Sequence, residues 1–210
     1  THSKVMCWVA LDRLLKLSEQ GIISVPRERF AEERAKIRDL IERCGYNEEL
    51  DSYVSVFGGS QVDASLLLMP LHGYTDAGSE RMRGTVRLIE ERLGHNGLVY
   101  RYSHEVDDGL PPGEGAFGIC SFWAISVAAM QGKHQEAREK FEQILSYAND
   151  VGLLAEEIEP ETGEALGNFP QAFTHIGLIH AALALQSRSI AIGDASAVSM
   201  HSVDTRETSK

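Results

Sequence analysis

Five glutamates, Glu156, Glu157, Glu159, Glu161 and Glu164, fall within nine residues of the segment Gly152–Phe173. Carboxylates so placed can give or take protons, provided the fold holds one of them against a substrate. Glu156-Glu157 open the acidic run, and the chain leaves it through Gly167-Asn168-Phe169-Pro170 into a strongly apolar stretch. A second loop, residues 95–116, carries Tyr100, Arg101, Tyr102, His104, Glu105, Asp107, Asp108 and Glu114. Together the loops offer carboxylates, an arginine between two tyrosines, and turn-forming Gly and Pro. Sugar sites use this mixture: aromatic faces for the C–H faces of the ring, a charged fork for hydroxyls, carboxylates for chemistry. The plainer reading stands beside it. An acidic loop is commonly a solvated loop, Glu156-Glu157 could cap a turn or bind a cation, and Arg101 could form a surface ion pair. The histidines at 72, 95, 104, 134, 175 and 180 show no HxxxH or HxxE spacing, so no metal site is expected. No G-x-S-x-G, P-loop or dinucleotide motif occurs, which leaves Ser or Cys hydrolase chemistry unsupported and implies no cofactor.

The elements that must position these loops recur along the chain. Residues 3–21 form an apolar helical stretch closed by Gly21, and residues 26–45 a charged one that opens on Pro26 and closes on Gly45. Its Phe30, Ile37, Leu40, Ile41 and Cys44 follow the helical period. The cycle repeats as Gln61–His72 with Ser79–Leu93, then as Phe117–Gln131 with His134–Asn149, and Pro170–Leu185 is a fourth apolar helix. The apolar members begin 53 to 58 residues apart, the mark of a repeated helical hairpin. Apolar helices belong inside and striped ones outside. An open α-solenoid and a closed α/α toroid both fit. Either brings the long loops 46–60, 95–116 and 150–169 to one end, where function usually sits. The first 186 residues read as one helical unit, and residues 187–210, rich in Ser, Ala and Thr, as a disordered tail.

Composition narrows the partners. With 31 acidic and 20 basic residues the net charge is −11. That argues against nucleic acid, which needs clustered Lys and Arg, and against an anionic membrane surface. Cys7, Cys44 and Cys120 are odd in number and lie within helical patterns. They read as buried free thiols, which suits a reducing, cytoplasmic setting.

Five segments carry a family resemblance: SKVMCWVALDR (3–13), DASLLLMPLHGY (63–74), GLVYRY (97–102), DGLPPGEGAFGICSFW (108–123) and AEEIEPETGEALGNFPQAFTHIGLI (155–179). In order and wording they resemble glycoside hydrolase family 15, the family of glucoamylases, glucodextranases and actinobacterial trehalases. The similarity runs from about residue 1 to 186. It implies an all-α fold, the C-terminal portion of an (α/α)6 toroid with about seven of its helices. It also implies hydrolysis with inversion, in which an acid protonates the glycosidic oxygen and a base activates water on the opposite face. The family's base lies in a Gly-Leu-Ile/Leu-x-Glu stretch. Gly152-Leu153-Leu154-Ala155-Glu156 matches it, so the resemblance makes Glu156 the general base, with Glu157 the nearest competitor. Arg101 then resembles the arginine that grips sugar hydroxyls, flanked by Tyr100 and Tyr102. Glu114 is expected either at the sugar or as an acid favoured by a helix N-terminus. The family's acid belongs to a Trp-Glu motif ahead of the segment matching Ser3-Lys4-Val5. The given sequence starts after it, so it is expected to be a fragment that carries the base but lacks the acid and is inactive, or nearly so, alone. Its apolar flanks would then seek a partner, another copy or the missing N-terminal half. The substrate implied is an α-glucoside, trehalose or a short α-glucan. The rival function is a non-catalytic α/α module that binds sugar or protein.

Overall fold

The computed structural model describes residues 1–103 and 114–193. Seven helices dominate it: α1 (His2–Glu19), α2 (Arg27–Cys44), α3 (Leu68–Leu71), α4 (Glu80–Leu93), α5 (Gly118–Met130), α6 (His134–Leu145) and α7 (Ala172–Gly193). The hairpin repeat is present, α1 packing on α2 and α5 on α6. Chain punctuation explains the boundaries. Gly21 (φ 74°) and Gly132 (φ 83°) turn the chain where a side chain would be strained. The Ser79 hydroxyl accepts from the Met82 N–H at the start of α4.

The expected helix Gln61–His72 takes a different form. Ala64–Leu67 is a 3-10 turn whose Ser65 N–H is capped by Asp63, and α-helix begins only at Leu68. Pro70 is the reason. Its ring would meet the carbonyl four residues upstream in a longer helix, but it is tolerated in a first turn, where its missing N–H is not needed. Helix α7 passes the expected end at Leu185 and reaches Gly193. No Gly or Pro lies between Leu185 and Gly193. The rest of the expected tail, 194–210, lies outside the described residues, as do His104, Glu105, Asp107 and Asp108.

The core has two parts joined by α5. Val5, Trp8 and Val9 of α1, Ile41 of α2, Leu66, Leu67 and Met69, and Met82, Val86, Ile89 and Leu93 of α4 pack with Cys120 and Val127 of α5. On its other side α5 puts Phe122, Ile125, Ala128 and Ala129 against Ala137 and Ile144 of α6, Leu154, Ile158 and Ala181 of α7. An element touching apolar neighbours all round needs no polar stripe, which is how α5 reads in the sequence. Gly118 and Gly177 let α5 and α7 approach. A methyl group at Gly118 would stand 2.6 Å from Thr174 Cγ2, and one at Gly177 3.1 Å from Phe122 Cβ.

The long loops hold short strands: β1 (Tyr46–Asn47) with β2 (Ser52–Tyr53), β3 (Gly94–His95) with β4 (Leu98–Val99), and an antiparallel sheet of β5 (Ala116–Phe117), β6 (Glu157–Ile158) and β7 (Ala165–Leu166). All three cysteines are free thiols, but only Cys120 is buried; Cys44 is half-buried and Cys7 exposed. Among the described residues no helix is long and apolar enough to cross a membrane.

Candidate active site

The three-stranded sheet is where two of the long loops meet. Ala116 pairs with Ile158 and Phe117 with Glu157, while Glu157 pairs with Leu166 on the other side. The ladder continues past Glu157. The Glu156 N–H donates to Asn168 O (2.9 Å), and its carbonyl accepts from the Gly118 N–H (3.0 Å) at the start of α5. The backbone of Glu156 is thus tied to both α5 and the approach to α7. Outside the sheet, the Asn96 side chain donates to Pro160 O (3.0 Å), and His95 pairs with Glu161. The third loop, 46–60, packs on α4, where the Tyr53 N–H donates to Thr85 Oγ1 (2.9 Å), and at the start of α1, where the Thr1 ammonium donates to Ser55 O.

Successive strand residues point to opposite faces, and this separates the two glutamates. Glu156 lines a cleft of about 250 Å³ together with Arg101, Phe117, Ile119, Trp123, Gln171, Phe173 and Thr174. Glu157 does not line it. Its Oε2 accepts from the Gly115 N–H at 2.8 Å. Burial pushes the Glu157 carboxyl up, the Gly115 N–H opposes this, and the nearby charges of Glu114 and Glu156 add to the rise.

One oxygen of Glu156 is held twice. Its Oε2 accepts from the main-chain N–H of Asn168 (3.0 Å) and from the Asn168 side-chain amide (2.7 Å). Gly167 makes room for this. It has φ 70°, and a Cβ there would sit 3.0 Å from both Cβ and Oε2 of Glu156. The next turn is braced as well. His175 Nε2 accepts from the Leu154 N–H (3.3 Å), so its Nδ1 carries the hydrogen and donates to Gln171 O (2.7 Å).

Arg101 enters the same cleft from the other loop. Its Nε donates to Asp63 Oδ1 at 2.9 Å, and its carbonyl accepts from the Ala64 N–H at 2.8 Å. Asp63 therefore does two jobs, capping the 3-10 turn and orienting the guanidinium. The neighbouring tyrosines are placed differently. Tyr100 packs against both apolar clusters, with the His95 ring 6.5 Å away. Tyr102 donates its hydroxyl to Glu114 Oε2 at 3.2 Å. Of the residues expected to act, the fold brings Glu156 and Arg101 to one cleft, and Glu157, Tyr100, Tyr102 and Glu114 lie beside it.

The cleft also uses residues that sequence reasoning gave no role. Asp63 orients Arg101, Asn168 holds Glu156, and Phe117, Trp123 and Phe173 supply aromatic walls. No spacing rule marks Asp63, which is far from Arg101 in the chain. The Gly-Asn pair after the acidic run was the only local signal for Asn168. Among the described residues no three His, Cys, Asp or Glu side chains converge as a metal-ligand group.

Known proteins match both sequence and fold. A trehalase of Mycobacterium tuberculosis is 45% identical over 186 residues, covering 86% of this chain and 27% of that protein. A trehalase of Thermoplasma acidophilum is 36% identical over 185 residues, with 88% and 32% covered. The chain thus spans about three-tenths of the length of these relatives. Among solved structures, a bacterial glucoamylase complexed with acarbose superposes with TM-score 0.75 at 15% identity, over 88% of this chain and 33% of that one. A glycosidase in complex with glucose superposes with TM-score 0.74 at 18% identity, over 88% of this chain and 51% of that one. At such identities the likeness is one of fold, and it makes the hairpin array part of an (α/α)6 toroid. The family model for glycosyl hydrolases family 15 matches residues 1–183, and the chain belongs to that family.

Proposed function

We propose that the protein hydrolyses an α-glucoside with inversion, and that Glu156 is its general base. The carrying observation is the cleft in which a glutamate with one anchored oxygen shares walls with Arg101 and three aromatic side chains. In the reaction Glu156 takes a proton from water as the water oxygen bonds to the anomeric carbon. The glycosidic C–O bond breaks, its electron pair stays on the leaving oxygen, and a general acid protonates that oxygen. Arg101, held by Asp63, binds sugar hydroxyls and fixes the ring while the bond breaks. No Trp-Glu pair occurs in the 210 residues, so we assign the acid to sequence outside them, and with it the activity of the whole protein. Trehalose is the preferred substrate, because curated relatives 45% and 44% identical to the chain are trehalases; short α-glucans come second.

The test measures glucose released from trehalose and from maltotriose by the full chain its gene encodes. Wild type is compared with Glu156→Gln and Glu157→Gln. The expected result is a loss of at least about 10²-fold in kcat for Glu156→Gln, with a smaller loss for Glu157→Gln. Wild-type turnover by Glu156→Gln would sink the assignment, and a larger loss in Glu157→Gln would move the base to that residue. Absence of turnover in the wild type, with sugar still bound, would favour the non-catalytic module.

A further inference from the structure

The anchoring of Glu156 is lopsided. Both donors on its carboxylate come from one residue, Asn168, and both go to Oε2. Among the described residues nothing donates to Oε1. The Glu156 N–H in turn donates to Asn168 O. The two residues therefore close on each other through three hydrogen bonds, and Gly167 is packed against the side chain they hold. A carboxylate on a flexible stem normally rotates freely; two N–H groups converging on one oxygen remove that freedom and fix where the other oxygen points. Bonds to an ionised acceptor are the stronger kind.

We infer that Asn168 is a positioning residue for hydrolysis: it immobilises Glu156 through Oε2 and so assigns Oε1 as the oxygen that takes the proton from water. This rests on the reading of Glu156 as the base. It adds which oxygen acts and which residue selects it. A base that must meet water on one face of a sugar has little tolerance for misplacement, and an error of about 1 Å can cost about 10²-fold in rate. The side-chain amide matters in sign as well as in reach. An amide donates N–H to a carboxylate, whereas a carboxylate of the same shape repels it.

Kinetics of the full chain on trehalose test this with two variants. Asn168→Ala removes the side-chain donor and keeps the main-chain one; kcat should fall about 10²-fold with KM changed little, because Arg101 and the aromatic walls are untouched. Asn168→Asp keeps the shape and reverses the sign. Its kcat should be lost at neutral pH and recover as the pH falls, when the paired carboxyl groups share a proton and one can donate to the other. A merely structural asparagine would give no such acid-shifted profile, and this arm stands if the alanine variant does not fold. The inference is overturned if Asn168→Ala keeps near-wild-type kcat, or if the Asn168→Asp profile parallels the wild type. Full activity of Glu156→Gln would instead overturn the base assignment itself and leave Asn168 with nothing to position.

Discussion

Two adjacent glutamates with the same chemistry have different environments here. Glu156 lies against the cleft with its Oε2 bonded to Asn168. Glu157 turns to the opposite face, where burial raises its carboxyl and Glu114 and Glu156 add to that rise against the Gly115 N–H. A carboxyl whose folded-state pKa is raised binds its proton more tightly in the folded chain. Folding is then favoured most below the unfolded value, and stability is lost as the pH climbs through the folded one. Glu157→Gln abolishes that loss and keeps an oxygen for the Gly115 N–H. Thermal unfolding should therefore show the variant melting above wild type at pH 7. The gap should close as the pH falls below about 4, the ordinary glutamate range. A gap that does not change with pH would mean that the burial of Glu157 is not what matters.

At the scale of elements, close approach decides more than propensity. Helix α4 meets the turn between β1 and β2 at Gly84, where an added Cβ would lie 2.0 Å from Asp51 O. Asp51 is pinned there with φ 51°, and its carboxylate accepts from Tyr46 Oη (2.6 Å) and Arg87 (2.9 Å). Gly84→Ala should gain about 1 kcal/mol in helix propensity. It must also push the turn away and loosen both contacts, an overpacking cost of about 1–3 kcal/mol with the lost hydrogen bonds added. The expected outcome is a net loss of about 2 kcal/mol, read as a lower denaturant midpoint. A stabilised variant would show that the turn moves freely. The hinge between α1 and α2 is electrostatic instead: buried Asp12 accepts from Arg34 of α2 and pairs with Lys16 and Arg13, each within 2.9 Å. Arg34 and Arg38 lie over the Trp8 ring at 5.9 and 5.4 Å.

Over the whole molecule the apolar surface is uneven. Helix α7 buries Thr174, Gly177 and Ala181 against its neighbours. Its opposite face shows Phe173, Ile176, Ile179 and Leu183 at 65, 47, 54 and 55% exposure, and Met6 and Leu17 are exposed on α1. Such a stripe is a contact surface in waiting. We propose that in the 210-residue chain this stripe packs against another copy. Sedimentation of the 210-residue chain should show concentration-dependent association, and Ile176→Glu with Ile179→Glu should abolish it. A chain that is monomeric at all concentrations, with and without the two substitutions, would overturn the proposal.

Helical period, Gly and Pro punctuation and the repeat of apolar helices are local properties, so the sequence by itself determined the helical hairpins, the acidic loop and, through its motifs, the family. Glu156 and Arg101 were legible because they sit in recognisable phrases. Tertiary structure alone decided the rest. Two-residue strands have no periodicity to read, yet the β5–β6–β7 register is what turns Glu156 toward the cleft and Glu157 away from it. Asp63 reaches Arg101 across 38 positions of sequence, and Pro70 trades an expected helix for the 3-10 turn that carries Asp63. Asn168 finds Glu156 only once the hairpin between them has closed. Partnership between distant side chains depends on how segments fold back on one another, and no single segment encodes that.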